Sequence, residues 1–249
     1  MAIVVRTQQE IAKMRQSGIA LRAVLDAVRA AVQPGCTTMD LEQVAEAKIA
    51  ETGGKAAFKG YHGYPRVLCT SVNHEVVHGI PSKKNTLHAG DIVSVDCGVI
   101  LDGYYSDSAM TVPVGKVTPE AEKLLSVTEA SLASAIAVVR AGTHLGDVGA
   151  AVQDVVEAAG FSVVREFVGH GIGTSLHEDP QVPNYGRRGI GIKLREGMVL
   201  AIEPMVNVGK AEVRVLEDVW TAVTVDGSLS AHFEHTVAVT ADGAVVLTA

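Results

Sequence analysis

The chain has few cysteines and no long apolar segment. Its 249 residues include three cysteines, Cys36, Cys69 and Cys97, an odd number without the CxxC spacing. We therefore expect neither a disulfide framework nor a zinc ribbon, and this usage favours a reducing compartment. No run approaches the roughly 18 apolar residues of a membrane span, and the first residues, MAIVVRTQQE, lack the apolar core of a secretory leader. The sequence thus predicts a cytoplasmic protein that does not enter a membrane.

Clusters of positive charge are also absent. Lysine and arginine number 21 against 28 aspartates and glutamates, which gives a formal net charge of −7. This balance disfavours binding to nucleic acid or to an anionic membrane surface. The length of 249 residues is enough for one large domain or two small ones, and the hydrophobic fraction of 47% can build a sizeable core. The composition therefore predicts a globular protein whose modest acidity bound divalent cations would partly offset.

The segment at residues 90–111 is predicted to form a β-hairpin that organises the chain. Its Asp-Gly pair at 102–103 is a strong two-residue turn signal, because both positions tolerate positive φ. That turn places Asp107 opposite Gly98 and on the same face as Asp96, one diagonal step of roughly 7–8 Å away. Two carboxylates at this spacing can hold metal ions between them. The alternative is a pair of ordinary surface aspartates on a hairpin.

Capping signals and apolar periodicity predict four helices in two pairs. They run from the Thr7–Glu10 capping box to Pro34-Gly35, from about Met39 to Glu51, from Thr118-Pro119 to near Gly142, and from about Gly146 to Ala159. An offset of 107 residues carries Gly35 onto Gly142, Asp40 onto Asp147, Gly53 onto Gly160, Gly90 onto Gly197 and, most usefully, Asp96 onto Glu203. We predict a single domain over residues 1–249 with pseudo-repeats at about 7–112 and 118–240, whose sheets meet with acids at the join.

Five residues that flank glycines or lie in apolar strands form the candidate metal centre. They are two aspartates, one histidine and two glutamates: Asp96, Asp107, His170, Glu203 and Glu234. Four carboxylates around one imidazole repel one another strongly unless cations neutralise them, and two divalent ions would cancel the four charges. An oxygen-rich set with one nitrogen suits Mn(II), Fe(II), Co(II) or Zn(II). Taken one at a time, each residue also fits a surface acid or a satisfied core histidine.

Seven short segments follow one another along the chain: Val77-His-Gly-Ile-Pro81, Asp91-Ile-Val-Ser-Val-Asp96, Asp102-Gly-Tyr-Tyr-Ser-Asp107, Gly169-His-Gly-Ile-Gly173, His177-Glu-Asp-Pro180, Ile202-Glu-Pro204 and Phe233-Glu-His-Thr236. Together they resemble the type I methionine aminopeptidases, from about Thr7 to the C-terminus. The resemblance implies the pita-bread fold, an α/β (α+β) domain with a pseudo-two-fold internal repeat and a central antiparallel sheet flanked by helices. It also implies that the five residues above hold two divalent ions, with Co, Mn, Fe and Zn as candidates.

The resemblance further implies a reaction and a role for each site residue. The reaction is removal of the initiator methionine from nascent proteins whose second residue is small, by metal-activated hydroxide attack on the first peptide bond. Glu203 would shuttle the proton, His177 would hydrogen-bond the scissile carbonyl and His78 would contact the peptide nitrogen. The methionine side chain would be bound by an aromatic and thiol-lined pocket, which suits a soft thioether: Tyr61, His62, Tyr64, Cys69 and Trp220.

Two pocket positions depart from the family pattern. Phe58 stands where many relatives have a small residue or cysteine, and Leu176 stands where an aromatic residue is common. Both keep the wall apolar, so they bear on substrate and inhibitor preference rather than on the chemistry. The chain's own start, Met1-Ala2, would itself qualify as a substrate. Other expected partners are N-terminal methionine peptides and nascent polypeptides, with the ribosome near its exit tunnel as a further candidate, and we expect a monomer.

Two other functions fit parts of the pattern. The first is a prolidase or aminopeptidase P, which cleaves before proline on the same fold, although those relatives normally carry a large additional N-terminal domain. The second is a pita-bread protein that has kept the fold as a binding module and lost catalysis. Such a protein should lack ligands, whereas all five are present here together with His78 and His177.

Overall fold

The computed structural model describes residues 3–249 as a mixed α/β protein. The Met1-Ala2 start, predicted above to be a substrate, lies outside the described residues. Four α-helices are found in residues 3–249: α1 (Gln8–Ala31), α2 (Thr38–Thr52), α3 (Pro119–Val138) and α4 (Leu145–Ala158). No helix among these residues has both the length and the apolar character needed to cross a membrane.

The strands of the first half are β1 (Lys55–Ala56), β2 (Leu68–Val72), β3 (Glu75–Val77), β4 (Ile92–Leu101) and β5 (Tyr104–Pro113), with a 3₁₀ turn at Tyr61–Gly63. Those of the second half are β6 (Ser162–Val163), β7 (Gly169–Gly171), β8 (Glu178–Val182), β9 (Val199–Ile202), β10 (Met205–Asn207), β11 (Val213–Val215), β12 (Ala222–Thr224), β13 (Ser230–His232), β14 (His235–Val239) and β15 (Ala244–Val246). The described strands pair antiparallel, with orders β1-β4-β2 (β5 also on β4), β13-β10-β6, β11-β12-β3 and β15-β14-β9-β7-β8. The predicted mixed architecture of helices and antiparallel sheets is confirmed.

The helices begin where their capping residues predict, but two of them end early. Thr7 Oγ1 accepts a hydrogen bond from the Glu10 N–H, and the Glu10 side chain accepts one from the Thr7 N–H, which completes the capping box. The first helix stops at Ala31 rather than at Pro34-Gly35, and the third stops at Val138 rather than near Gly142. In both cases the chain leaves the helix because the loop pairs with a distant strand-like segment, so the glycine marks the turn and not the last helical residue.

The register of the hairpin is as predicted. Leu101 pairs with Tyr104, Gly98 pairs with Asp107, and Asp96 pairs with Ala109. At the turn both Asp102 (φ 50°) and its following glycine (φ 81°) have positive φ, as a type I′ turn requires. Asp96 and Asp107 therefore lie on one face of the hairpin.

The two halves of the molecule join along β5. The Asp107 N–H donates to Thr236 Oγ1 at 3.0 Å, and that hydroxyl donates to the Asp107 carbonyl at 2.8 Å. The Glu234 N–H donates to the Ala109 carbonyl at 2.9 Å. These contacts fix the hairpin of the first half against the β13–β14 segment of the second half, so the acids of the two halves meet at the join.

Backbone hydrogen bonds repeat at the predicted offset of 107 residues. The Gly35 N–H donates to the Leu87 carbonyl, and the Gly142 N–H donates to the Leu194 carbonyl, both at 2.8 Å. An isolated bridge joins Thr37 to Thr86 in one half, and the same offset gives the bridge between His144 and Lys193 in the other. These matches support the predicted pseudo-repeats, whose exact boundaries remain a prediction.

Candidate metal centre and substrate cleft

A cleft opens at the join of the two halves. Its lining contains every residue that the sequence predicted for the metal centre, the reaction or substrate binding: Tyr61, His62, Tyr64, Cys69, His78, Asp96, Asp107, His170, His177, Glu203, Trp220 and Glu234. The two departures from the family pattern, Phe58 and Leu176, line it as well. Residues far apart in the sequence are thus brought to one place.

The five candidate metal ligands come from five strands or strand ends. Asp96 lies in β4 and Asp107 in β5, His170 lies in β7, Glu203 directly follows β9, and Glu234 directly precedes β14. Ligand atoms of Asp107, His170 and Glu234 lie within 4.8 Å of one another and form a group that could hold a metal ion. His170 Nε2 lies 4.0 Å from Asp107 Oδ2 and 3.7 Å from Glu203 Oε1.

The orientation of His170 is set by the backbone. Its Nδ1 lies 2.9 Å from the Gly171 carbonyl oxygen, which can only accept, so Nδ1 carries the proton and donates. The unprotonated Nε2 then faces the carboxylates. Burial lowers the pKa of His170 to about 3, which keeps the imidazole neutral. A neutral imidazole whose other nitrogen is held by a carbonyl is the usual form of a metal-ligating histidine.

Burial dominates the electrostatics of the four carboxyl groups. It raises the pKa of Asp96 to about 7 and that of Glu203 to about 8. Burial and the neighbouring acids also raise the pKa of Asp107 and of Glu234 well above the usual range. Burying several carboxylates close together destabilises the fold unless a cation neutralises their charge.

Unpartnered oxygen atoms provide a test of whether these residues fit metal ions. Asp96 Oδ1, Asp107 Oδ1 and Glu234 Oε1 are buried and have no hydrogen-bond partner. Buried polar atoms are normally hydrogen-bonded, so three such oxygens in one cluster mark groups whose partner is not a protein atom. The donor set of four carboxyl groups and one neutral imidazole fits divalent transition-metal ions.

His232 is a polar neighbour of the centre, and its place beside Glu234 in an alternating apolar segment predicts a supporting or structural role for it. Its side chain is buried, its Nε2 lies 3.5 Å from Glu203 Oε2, and that nitrogen has no hydrogen-bond partner. A signal for it existed, because His232 stands two residues before Glu234. Two residues at that spacing share a face of an extended strand.

Two further histidines flank the cleft. His177 Nδ1 lies 2.7 Å from the Tyr61 hydroxyl, and its ring stands edge-on to the His170 ring at a centroid distance of 4.2 Å. His78 has positive φ (62°), and its ring packs edge-on to Phe167 at 5.4 Å. Burial lowers the pKa of His177 and brings that of His78 to about 4. Both rings therefore line the cleft in their neutral form.

The apolar end of the cleft is built around Tyr64. Its hydroxyl is satisfied by the carbonyls of Leu68 and Gly79 at 2.8 and 3.0 Å, so the ring is held in place with its apolar face toward the cavity. Trp220 stands edge-on to it at 5.1 Å. Cys69 is buried beside them, and burial raises the pKa of its thiol. This wall presents aromatic edges and a neutral thiol rather than charge.

An apolar cleft that ends in a buried cluster of carboxylates and an imidazole is the arrangement of a metal-dependent hydrolase. Comparison with known proteins agrees, because the model of metallopeptidase family M24 matches residues 12–241. A methionine aminopeptidase of Clostridium acetobutylicum is 49% identical over 246 residues, covering 99% of this chain and 98% of the relative. The chain belongs to metallopeptidase family M24 and, within it, to the methionine aminopeptidases.

Solved structures give the same result for the fold. The crystal structure of a methionine aminopeptidase from Thermotoga maritima matches with a TM-score of 0.98 and 49% identity, covering 99% of each chain. A prolidase from Pyrococcus furiosus matches with a TM-score of 0.81 and covers 99% of this chain and 65% of that one. Its identity is only 20%, so it shows the shared fold alone. The predicted pita-bread fold and the predicted family are both confirmed.

Proposed function

We propose that this protein removes the initiator N-terminal methionine from nascent proteins whose second residue is small. The observation that carries the proposal is the cleft, in which an apolar aromatic wall leads directly to the carboxylate and imidazole cluster. The curated relatives that match the whole chain are named methionine aminopeptidases. The preference for a small second residue rests on the family resemblance.

The wall of the cleft suits a methionine side chain. Tyr64, Trp220 and Cys69 would surround a thioether, which is polarizable and packs favourably on ring edges. Tyr61 and His62 complete the proposed subsite on the side of the cleft that faces His177. An unbranched thioether also adapts to the irregular surface that Phe58 and Leu176 leave.

The proposed metal centre consists of Asp96, Asp107, His170, Glu203 and Glu234. We propose two divalent ions there, since the number of carboxylates matches two dications, and Mn(II), Fe(II), Co(II) and Zn(II) are the candidates. When bound, such ions lower the pKa of water and polarise a carbonyl. The supporting observation is the set of buried, unpartnered oxygens on three of these residues.

Other residues of the chain would handle protons and orient the peptide. Glu203, whose pKa burial raises to about 8, would take a proton from the attacking water and pass it to the leaving amine. The Tyr61 hydroxyl would donate to His177 Nδ1, which leaves a proton on Nε2 for the scissile carbonyl. His78 would donate to the peptide nitrogen from the other side of the cleft.

Methionine release from tripeptides tests the proposal directly. Protein stripped with a chelator is assayed on Met-Ala-Ser and Met-Leu-Ser after separate addition of Mn(II), Co(II), Fe(II) or Zn(II). We expect release from Met-Ala-Ser only, and only with added metal. Release without any metal would contradict the proposed centre, and equal release from both peptides would contradict the second-residue rule.

The alternative functions have less support. The similarity to the Pyrococcus furiosus prolidase is confined to the fold at 20% identity, whereas methionine aminopeptidases match over the full chain at 45–50% identity. A binding module without catalysis is disfavoured by the five retained ligands. Cleavage of an Ala-Pro peptide, with Met-Ala-Ser left intact, would reverse this ranking.

The setting of the reaction is also part of the proposal. Cys36, Cys69 and Cys97 are all free thiols, which agrees with the cytoplasm as the proposed location. The proposed substrates are N-terminal methionine peptides and nascent polypeptides, and the ribosome near its exit tunnel is proposed as a further partner. We propose that it acts as a monomer.

A further inference from the structure

A buried ion pair joins the beginning of the chain to the loop that carries His177. The Arg6 guanidinium contacts both carboxylate oxygens of Glu178 at 2.5 Å. The two side chains are only 7% and 13% exposed. They are 172 positions apart in the sequence, and Glu178 directly follows the histidine that lines the cleft.

The same carboxylate organises the loop between residues 173 and 178. Glu178 Oε1 accepts hydrogen bonds from the Thr174 N–H at 2.9 Å and from the Ser175 N–H at 3.1 Å. The Gly173 carbonyl accepts a bond from the Tyr105 N–H at 2.8 Å, which ties the base of the loop to the hairpin. Glu178 therefore closes the loop on itself, and Arg6 neutralises the charge that does so.

Arg6 also packs directly on the loop backbone. A Cβ atom added at Gly173 would collide with the Arg6 guanidinium. The guanidinium therefore lies directly against the backbone at this position, and only glycine leaves space for it. The Arg6 N–H donates to the Gly197 carbonyl at 2.7 Å, and Thr7 caps α1 in the next position. The backbone of Arg6 is thus held independently of its side chain, which gives the guanidinium a fixed base.

We propose that Arg6 is a positioning residue that acts through Glu178 to hold the loop and its His177 in place for the reaction. The proposal rests on the proposed function insofar as His177 is taken to contact the scissile carbonyl. Arg6 itself lines no part of the cleft. The planar guanidinium lies against the backbone at Gly173 while its Nη2 contacts both oxygens of the Glu178 carboxylate; a lysine ammonium keeps the charge but has no planar group to pack there.

Steady-state kinetics on Met-Ala-Ser with metal-loaded enzyme test this role. We expect Arg6→Ala to lower kcat by about 10- to 100-fold, the size of effect that a displacement of about 1 Å produces, with KM changed less than threefold. Arg6→Lys should recover part of kcat, since it keeps the positive charge beside Glu178 and loses the planar group that packs on Gly173. Arg15→Ala is the matched control, because Arg15 donates to the Val246 carbonyl at 2.6 Å and does not touch the loop; its kcat should equal that of the wild type.

The double variant Arg6→Ala/His177→Ala distinguishes a positioning role of Arg6 from a general loss of structure. If Arg6 acts through His177, Arg6→Ala should have less than a twofold effect on kcat once the imidazole is gone. Equal losses in both backgrounds, or an unchanged kcat in the single variant, would overturn the proposal. If Arg6→Ala does not fold, Glu178→Gln takes its place in the same cycle, because the amide keeps the shape of the side chain and removes its charge.

Hydrogen exchange gives a readout that does not depend on activity. Amide protons of Thr174 and Ser175 should exchange at least tenfold faster in Arg6→Ala or Glu178→Gln than in the wild type, while amides in the middle of α1 should not change. If the variants and the wild type exchanged the Thr174 and Ser175 amide protons at the same rate, the proposed positioning role of Arg6 would be overturned. This holds even if the wild type failed to release methionine. An inactive wild type with faster loop exchange in the variants would instead contradict only the proposed function.

Discussion

Replacement of Asp107 by asparagine should separate stability from metal binding. Asp107 is 4% exposed, its Oδ1 has no partner, and it faces Asp96, Glu203 and Glu234 across the cluster. Asparagine has nearly the same shape, cannot ionise and adds an N–H₂ donor that can bond a neighbouring carboxylate. In the metal-free protein the substitution should therefore stabilise the fold, whereas it removes a ligand from the loaded one.

The expected stability difference between the variant and the wild type has opposite signs in the metal-free and the metal-loaded protein. A buried polar atom without a partner costs about 1–3 kcal/mol, so the metal-free Asp107→Asn variant should be more stable by about that amount. In a domain of this length, each 1 kcal/mol shifts Tm by about 2–4 °C. A metal at 1,000 times its Kd should stabilise the wild type by about 4.1 kcal/mol, which exceeds that difference, while the variant gains little. Metal addition should therefore reverse the order of the two melting temperatures.

Thermal unfolding of chelator-treated protein, with and without Mn(II), measures this reversal. Calorimetry on both proteins in the same buffer gives four values of Tm, and Asp26→Asn, an exposed substitution in α1, controls for loss of one charge. If the metal-free variant melted below the metal-free wild type, the unpartnered oxygen would not be a destabilising feature. If Mn(II) raised the Tm of both equally, Asp107 would not be a ligand.

Three further substitutions test other parts of the structure. Glu203→Ala should abolish methionine release while circular dichroism shows a retained fold, because the side chain is proposed to hold metal and move the proton. Tyr61→Phe should lower kcat/KM by about 2- to 10-fold, the value of one hydrogen bond, through loss of the donor to His177. Glu42→Gln should change the pH dependence of unfolding. Burial raises the pKa of Glu42 above its usual value, so its stabilising contribution is full below about pH 4.5 and is lost as pH rises through the folded-state pKa.

Each of these three substitutions has a result that would contradict the proposed role of the residue. Activity of Glu203→Ala close to that of the wild type would remove the proposed proton carrier. A kcat/KM that is unchanged in Tyr61→Phe would mean that the hydroxyl does not orient His177. For Glu42, urea denaturation of both proteins between pH 4.5 and 7 should show the wild type losing stability relative to the glutamine variant; a constant difference would show that the carboxyl does not titrate differently in the two states.

Local signals in the sequence determined much of the hairpin and the helix starts. The Asp-Gly turn at 102–103 fixes the register because the side-chain period of a strand is two, and so it places Asp96 and Asp107 on one face without reference to the rest of the fold. The capping box at Thr7 defines the start of α1 for the same kind of local reason. The predicted ends of α1 and α3 were less accurate than their starts. The loops that follow Ala31 and Val138 form backbone hydrogen bonds to Leu87 and Leu194, which are far away in the sequence.

Only the tertiary structure decided what surrounds those acids. His170, Glu203 and Glu234 reach the hairpin because β5 pairs with the β13–β14 segment through side-chain hydroxyls more than 120 positions away in the sequence. The approach of His232 to Glu203 follows from that docking, although its spacing from Glu234 already put it near the centre. No local spacing encodes the Arg6–Glu178 pair. Propensity and periodicity act over a few residues, whereas the chemistry of this site depends on which distant side chains burial forces into contact.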